Sequence, residues 1–390
     1  MSKSNETTPN VPTLRFGGFS DLWNKSTIEK NAKVYDGTHQ TPIYTKSGVK
    51  FVSVENIKDL YSSDKYISIE DYNSDFKYVP EINDILMTRI GDIGTPALVT
   101  KSEPLAYYVS LALLKEIDLE PHFLYHYIQT APFQKELWRR TLHVAFPKKI
   151  NKNEIGDCAI FYPSTRCEQK KVALFLDGIE KRIKIQNKII EDLKVLKKEL
   201  CNKVFGKGSA VRLGDFIEEV TTRNKSNSCE NVLSVSNKMG FIKQSEQFED
   251  RTVASENKSN YKVVTEGCFA YNPARINVGS IALLSTYKIG IISPMYVCFK
   301  TKSNLNSEYL NFYYQSGFFY KELQKKLEGS VRQCLTYENM SEILIPYVGI
   351  EEQKAIAATL NKFATLIATE EKYIKSLQKQ KSYFLNAMFI

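Results

Sequence analysis

EQKKVALFL, residues 168–176, returns as EQKAIAATL at residues 352–360, 184 positions later. Each copy opens a long Lys-rich segment with a regular apolar ladder. Stepping by four and three from the first copy gives Val172, Leu176, Ile179, Ile183, Gln186, Ile190, Leu193, Lys197, Leu200 and Val204, of which eight of ten are apolar. The second copy gives Ile356, Leu360, Phe363, Ile367, Glu370, Ile374, Leu377, Lys381, Phe384 and Met388, again eight of ten. A mean spacing of about 3.5 residues is the seam of a coiled coil. Both ladders are interrupted at the same two rungs, Gln186/Glu370 and Lys197/Lys381. Interruptions that coincide point to duplication. Thr165 and Glu168 have the spacing of a capping box and Gly206 is a C-terminal stop. A helix of about 38 residues is expected, roughly 57 Å at 1.5 Å per residue. Two such seams pack most simply against each other or against a partner's helices.

The sequence between the ladders repeats as well. FVSVEN (51–56) parallels VLSVSN (232–237), and NDILMTRIGDIGTPALV (83–99) parallels GCFAYNPARINVGSIALL (267–284). FLYHYIQTAPFQKELWRR (123–140) parallels YLNFYYQSGFFYKELQKK (309–326). Alternating β-rich runs such as 49–57, 108–115, 231–239 and 295–300 read as strands. The fold class is therefore α+β: two β-rich domains, each followed by a long helix, in an internal two-fold repeat. The expected divisions are a first domain over 1–163, a helix over 164–206, a second domain over 207–348 and a second helix over 349–390.

Composition narrows the function classes. The chain has 390 residues, 43% hydrophobic and 25% charged, which is ordinary for a globular protein. Its seven cysteines form no C-x-x-C pair, and they read as reduced thiols rather than a disulfide frame or zinc site. MSKSNETTPN is polar with no secretory apolar stretch, and the most apolar run is broken by Lys288 and Pro294, so the expected location is cytoplasmic without membrane attachment. The net charge of +9 concentrates on residues 161–207, with twelve basic and six acidic side chains. Such a segment attracts polyanions, although a solvated helix face has the same composition.

The order of these features resembles the specificity subunit of type I restriction-modification enzymes. The paired EQK helices carry the resemblance, with VPTLRFGGFSDLW (11–23), DGTHQTPIYTKSGVKFVSVENI (36–57), TRIGDIG (88–94), VRLGDFIEEVTTR (211–223) and YNPARINVGSI (271–281). It covers the chain from about Val11 onward. The resemblance implies two target-recognition domains, each reading one half of a split, asymmetric site on double-stranded DNA. It implies that the two helices pair as an antiparallel coiled coil, a spacer on which two methyltransferase subunits dock, and that a motor-nuclease subunit can join for restriction. S-adenosylmethionine, ATP and Mg²⁺ would belong to those partners, with no cofactor in this chain.

Base edges are read by Arg, Lys, Asn, Gln, Ser and Thr in loops, and phosphates by cations and backbone N–H groups. The candidates in the first domain are Thr38, His39, Gln40, Thr41, Lys46 and Arg89. In the second they are Arg223, Asn224, Lys225, Asn272, Arg275, Asn277, Arg332 and Gln333. Gly91, Gly94 and Gly279 would let backbone approach a phosphate or base. Each has a plainer reading: Arg89 and Arg275 as partners of local carboxylates, TRIGDIG as a turn between strands, His39 as a loop hydrogen-bonder with no acid or Cys to complete a metal set. The Glu and Gln of the EQK motif read as cap and packing residues.

No catalytic role is expected. The sequence lacks a G-x-x-x-x-G-K-[ST] loop and an H-E-x-x-H motif. Asn272-Pro273-Ala274-Arg275 resembles the N-P-P-aromatic motif of adenine methyltransferases, but lacks the second proline and the aromatic, and it reads as a structural turn. Two other classes compete with a recognition subunit. A self-contained nuclease or methyltransferase would need cofactor motifs. A purely structural coiled-coil adaptor leaves the duplicated domains unexplained.

Overall fold

The computed structural model describes residues 11–237, 239–247, 257–328 and 333–390. Two compact units result, one comprising residues up to Asn187 with Lys372–Ile390, the other Lys188–Glu371. Each long helix is thus shared, its first part in one unit and its second in the other. The linear division into domain, helix, domain, helix describes the sequence, whereas the compact units cut across it.

The first unit runs β1 (Asn24–Thr27), β2 (Lys33–Asp36), β3 (Val49–Val52), β4 (Tyr66–Ile67), α1 (Ile69–Asp75), β5 (Ile85–Ile90), β6 (Asp92–Leu98), β7 (Leu105–Tyr107), β8 (Leu111–Lys115), α2 (Pro121–Ile128), α3 (Ala131–Arg140), α4 (Lys152–Gly156), β9 (Ala159–Tyr162) and the start of α5 (Arg166–Phe205). The second runs β10 (Ser209–Arg212), β11 (Ile217–Glu219), β12 (Val232–Ser236), β13 (Gly240–Lys243), α6 (Gln244–Gln247), β14 (Lys262–Thr265), β15 (Cys268–Tyr271), β16 (Ile281–Leu283), β17 (Ile289–Ile292), β18 (Val297–Thr301), α7 (Ser307–Tyr314), α8 (Gly317–Gln324), α9 (Tyr337–Ser341), β19 (Leu344–Tyr347) and the start of α10 (Ile350–Ala387).

The duplication is visible in the sheets. Strand order β2-β8-β5-β6 in one unit is matched by β11-β18-β15-β16 in the other. β4-β3-β7 is matched by β13-β12-β17, which β14 extends by one strand. Each of these second sheets holds one parallel pair, β3 with β7 and β12 with β17, in otherwise antiparallel pairing. The central strands are apolar on both faces because they divide two cores. Ile85, Met87, Ala112 and Leu114 face the core shared with the long helices, while Leu86, Leu111 and Leu113 face the other. In the second unit Phe269, Tyr271 and Phe299 point one way and Cys268, Ala270 and Cys298 the other. This is the two-residue period of a strand applied twice.

All twenty rungs of the two ladders are buried or half-buried, none exposed. In the first unit Phe175 meets Phe384 (ring centroids 4.8 Å), Glu180 meets Lys381 (2.5 Å), and Arg182 bonds the Tyr373 hydroxyl. Partner numbers fall as helix numbers rise, so these segments are antiparallel. In the second unit Lys194 pairs with Glu371 at 2.7 Å.

The helix ends are equivalent too. Phe205, ending the helix that starts in the first unit, packs on Tyr309 and Tyr313 of α7 at 5.2 and 5.6 Å. Phe389, beyond the end of α10, packs on Phe123 and Tyr127 of α2 at 5.2 and 5.8 Å. Each long helix therefore closes the core of the unit in which it did not begin. The EQK glutamines explain why the motif repeats. Gln169 accepts from the Glu120 N–H (2.9 Å) and donates to the Pro163 carbonyl (2.9 Å). Gln353 accepts from the Asn306 N–H (2.8 Å) and donates to the Val348 carbonyl (2.8 Å). Each buried amide fixes the start of a long helix to the N-terminus of the short helix beside it. Glu168 forms a buried pair with Arg15 at 2.7 and 2.8 Å, whereas Glu352 is exposed.

Candidate nucleic-acid interface

In the first unit three segments of different sequence number gather at one edge of the large sheet. They are the loop after β2, the tight turn between β5 and β6, and the loop between α3 and α4. Arg89 joins them: its guanidinium bonds Asp36 at the end of β2, and its Nε donates to the Ile150 carbonyl at 3.0 Å. The Gly91 N–H donates to the Lys148 carbonyl at 2.8 Å, and Ile150 donates back to Arg89 at 3.0 Å. Gly91, at φ +80°, makes a turn that a side chain would strain.

The second unit has the corresponding segments, two of which are tied together. The loop after β11 holds residues 223–225, the β15–β16 connection holds 272–280, and the segment after α8 leads into α9. The Leu335 N–H donates to the Pro273 carbonyl (3.2 Å), and the Tyr271 hydroxyl to the Thr336 carbonyl (3.1 Å), tying the last two together.

The sequence candidates divide into surface groups and framework. His39, Gln40, Thr41 and Lys46 are exposed on the first loop, and Thr38 is half-buried, bridged to Tyr108. Arg223, Lys225, Arg275 and Gln333 are exposed, and Asn277 is half-buried. Arg223 donates to the Asn260 carbonyl at 2.8 Å. The Arg275 guanidinium has no partner among the described residues. Arg332 lies outside the described residues.

Four candidates are turned inward. Arg89 is only 6% exposed and spends its donors on Asp36 and Ile150. Asn224 is buried and closes its own loop through the Cys229 carbonyl (2.9 Å) and N–H (3.2 Å). Asn272 is buried and accepts from the Ala274 N–H at 3.1 Å, so Asn272-Pro273-Ala274-Arg275 is the structural turn its sequence implied. Gly94 does permit a close approach, but of α3: a Cβ there would lie 2.8 Å from Leu137 Cδ1 and 2.7 Å from Gln134 Oε1. Each polar group is inside because a turn or loop needs its backbone groups satisfied, a demand that residue type alone does not reveal.

The segment that sequence reasoning passed over in the first unit is residues 142–149. Its counterpart in the second was represented by Arg332 and Gln333, so the internal repeat itself was the available signal.

Behind this edge, α2 meets α5 through a polar cluster. Asp177 lies 2.7 Å from His122 Nδ1 and 2.8 Å from His126 Nε2, and His126 is fully buried. Burial pushes the Asp177 carboxyl up, but the two histidines outweigh it and hold it well below the carboxylate range. The bond to Asp177 raises His122. His126, Asp177 and Glu180 are close enough to ligate a metal ion. The positive charge at Glu180, however, is supplied by Lys381 at 2.5 Å, which also donates to Gln129 at 2.6 Å.

Residues 14–195 and 209–379 each match the type I restriction modification DNA specificity domain. The chain belongs to that family. Its two heads are the two specificity domains, and the protein is a DNA-recognition subunit of the type I class. It is similar to a putative type I restriction enzyme MjaX specificity subunit from Methanocaldococcus jannaschii, 26% identical over 88% of this chain and 87% of that protein. Its fold is similar to the S subunit of a type I restriction-modification system from M. genitalium, with a TM-score of 0.64 at 14% identity, covering 97% and 99% of the two chains. A chain from a type I system solved to explain complex assembly and conformational transition aligns with a TM-score of 0.53 at 14% identity, over 93% and 96%. No helix among the described residues is long and apolar enough to cross a membrane.

Proposed function

We propose that each specificity domain reads one half of a bipartite, asymmetric DNA site, and that the helices set the gap and dock two methyltransferase subunits. The observation that carries this reading is the repeated frame: matching sheets in both units end in corresponding loops, but those loops carry different exposed side chains. His39, Gln40, Thr41 and Lys46 are exposed on the loop after β2, and Arg223 and Lys225 on the loop after its counterpart β11. An unlike pair of edges on a like frame reads unlike half-sites. Methyl transfer, with S-adenosylmethionine, resides on the methyltransferase partners, and ATP and Mg²⁺ serve a motor-nuclease subunit during restriction. The chain itself contributes recognition and no catalytic group.

The test is co-expression with the partner methyltransferase subunit in a methylation-free host, followed by single-molecule sequencing for modified adenines. A split motif with two unlike halves is expected. Exchanging residues 36–140 for those of another such subunit should then alter one half only. Recovery of a stable complex that modifies no DNA, or modifies it without sequence preference, would overturn the reading.

A further inference from the structure

The loop between α3 and α4 carries the most exposed apolar side chains in the described protein. Phe146 is fully exposed at 104% and Val144 at 98%, with Trp138 and Leu142 also projecting. Burying neither ring nor branched side chain costs folding energy that a loop of polar residues would not lose. The tip is nevertheless held at its base. The Leu142 N–H donates to the Lys149 carbonyl at 2.8 Å, and Lys148 and Ile150 are tied to the β5–β6 turn as described above. His143 lies 3.0 Å from the Trp138 carbonyl with its ring against the indole at 4.5 Å.

Cations flank the tip. Lys148 lies over the Trp138 ring at 4.4 Å, and the Lys149 ammonium has no ion-pair partner among the described residues. No acidic residue occurs between Trp138 and Ile150. An aromatic and a branched apolar side chain on a supported tip, framed by positive charge, match a duplex: phosphates for the lysines and a base step for the ring. The same loop abuts Gly91 and, through Arg89, the segment bearing His39 and Lys46.

We propose that Phe146, backed by Val144, is a DNA wedge that inserts at a base step next to the first half-site, with Lys148 and Lys149 on the flanking phosphates. This rests on the recognition function above and adds a shape-reading element to it. Wedge insertion favours the flexible pyrimidine–purine steps, so the loop contributes sequence preference without a base-edge hydrogen bond.

The experiment uses the full chain bound to its methyltransferase partner, and duplexes bearing the target defined above. Phe146→Ala should weaken target binding about tenfold to a hundredfold, the range for losing one aromatic stack on a base. Phe146→Trp should retain binding, and the new indole should be quenched by target DNA more than by a scrambled duplex. Lys149→Ala should lower the salt dependence of binding by about one phosphate contact. Because Phe146 touches no core residue, the variants should keep the wild-type melting temperature. Unchanged affinity in Phe146→Ala with an unquenched Phe146→Trp would overturn the wedge while leaving recognition intact. Loss of methyltransferase association with unchanged DNA affinity of the chain would overturn it in favour of a protein contact. Absence of selective binding by the wild-type complex would overturn both this and the recognition function.

Discussion

The two units solve one packing problem with different chemistry. In both, a lysine from the far end of a long helix reaches a glutamine at the end of the short helix: Lys381 to Gln129 at 2.6 Å, Lys197 to Gln315 at 3.3 Å. These lysines are the shared polar rungs of the ladders. Around Lys381 stand Glu180, Asp177, His126 and His122. Around Lys197, Phe312 occupies the place of His126, and the ammonium lies 5.1 Å from its ring. Burial lowers the Lys197 pKa, and Cys201 opposes it only in part. The duplicated frame therefore conserves a geometric contact between helix and head, while its charge environment has diverged.

The sharpest way to break the equivalence is at the terminal phenylalanines. Phe205→Ala and Phe389→Ala should each cost about 3–5 kcal/mol, the range for emptying an aromatic site in a core. Hydrogen exchange should show Phe205→Ala loosening α7, and Phe389→Ala loosening α2. The reverse assignment would contradict the exchange of helix ends between units.

A second difference lies in the EQK glutamates. Glu168→Ala should cost about 3 kcal/mol, because it leaves Arg15 unpaired beside a buried site. Glu352→Ala should stay within about 0.5 kcal/mol, as expected for an exposed side chain. Urea denaturation of the two variants measures the contrast.

Acid and base should distinguish the joints next. Asp177 is depressed, so its contribution is present above the ordinary carboxylate pKa of about 4 and is lost as pH falls toward its lowered value. His122 is raised, so its contribution is present below about 6.5 and is lost as pH climbs through its raised value. Exchange protection of α2 should fall at both extremes. Protection of α7, where Lys197 meets Gln315 and Phe312 and, among the described residues, no histidine or carboxylate pairs with it, should not follow that profile.

The smallest effect compares the lysines directly. Lys381→Met should destabilise by about 1–2 kcal/mol, since it strips Glu180 and Gln129 of a donor. Lys197→Met should be neutral or stabilising by up to about 1 kcal/mol, because it removes a half-buried charge with one long hydrogen bond. Equal losses in thermal melts would show that the two contacts still share one environment.

The helix ladders were legible because a seam repeats every 3.5 residues whatever it packs against, and each rung proved buried or half-buried. Their polar interruptions were visible, but not their purpose. Lys381 and Gln129 are 252 residues apart, and nothing local pairs them. The candidate loops were legible as stretches rich in polar residues. Which of those residues face outward was not, because Arg89, Asn224 and Asn272 carry the same functional groups as the exposed candidates. Their backbone surroundings claimed those groups first. Phe146 is the opposite case: nothing in the order of residues shows that the fold leaves this apolar side chain outside.

The sequence by itself determined that this protein is a duplicated head-and-helix chain, since periodicity and repetition are local properties of residue order. It also determined the family, through the order of motifs along both halves. Only the tertiary structure decided that each helix finishes the core opposite to its origin, that Arg89 is buried against Asp36 and Ile150, and that residues 148–150 pack against the β5–β6 turn. Those outcomes depend on which distant groups compete for each donor, acceptor and apolar surface, and that competition is resolved only once the chain has closed on itself.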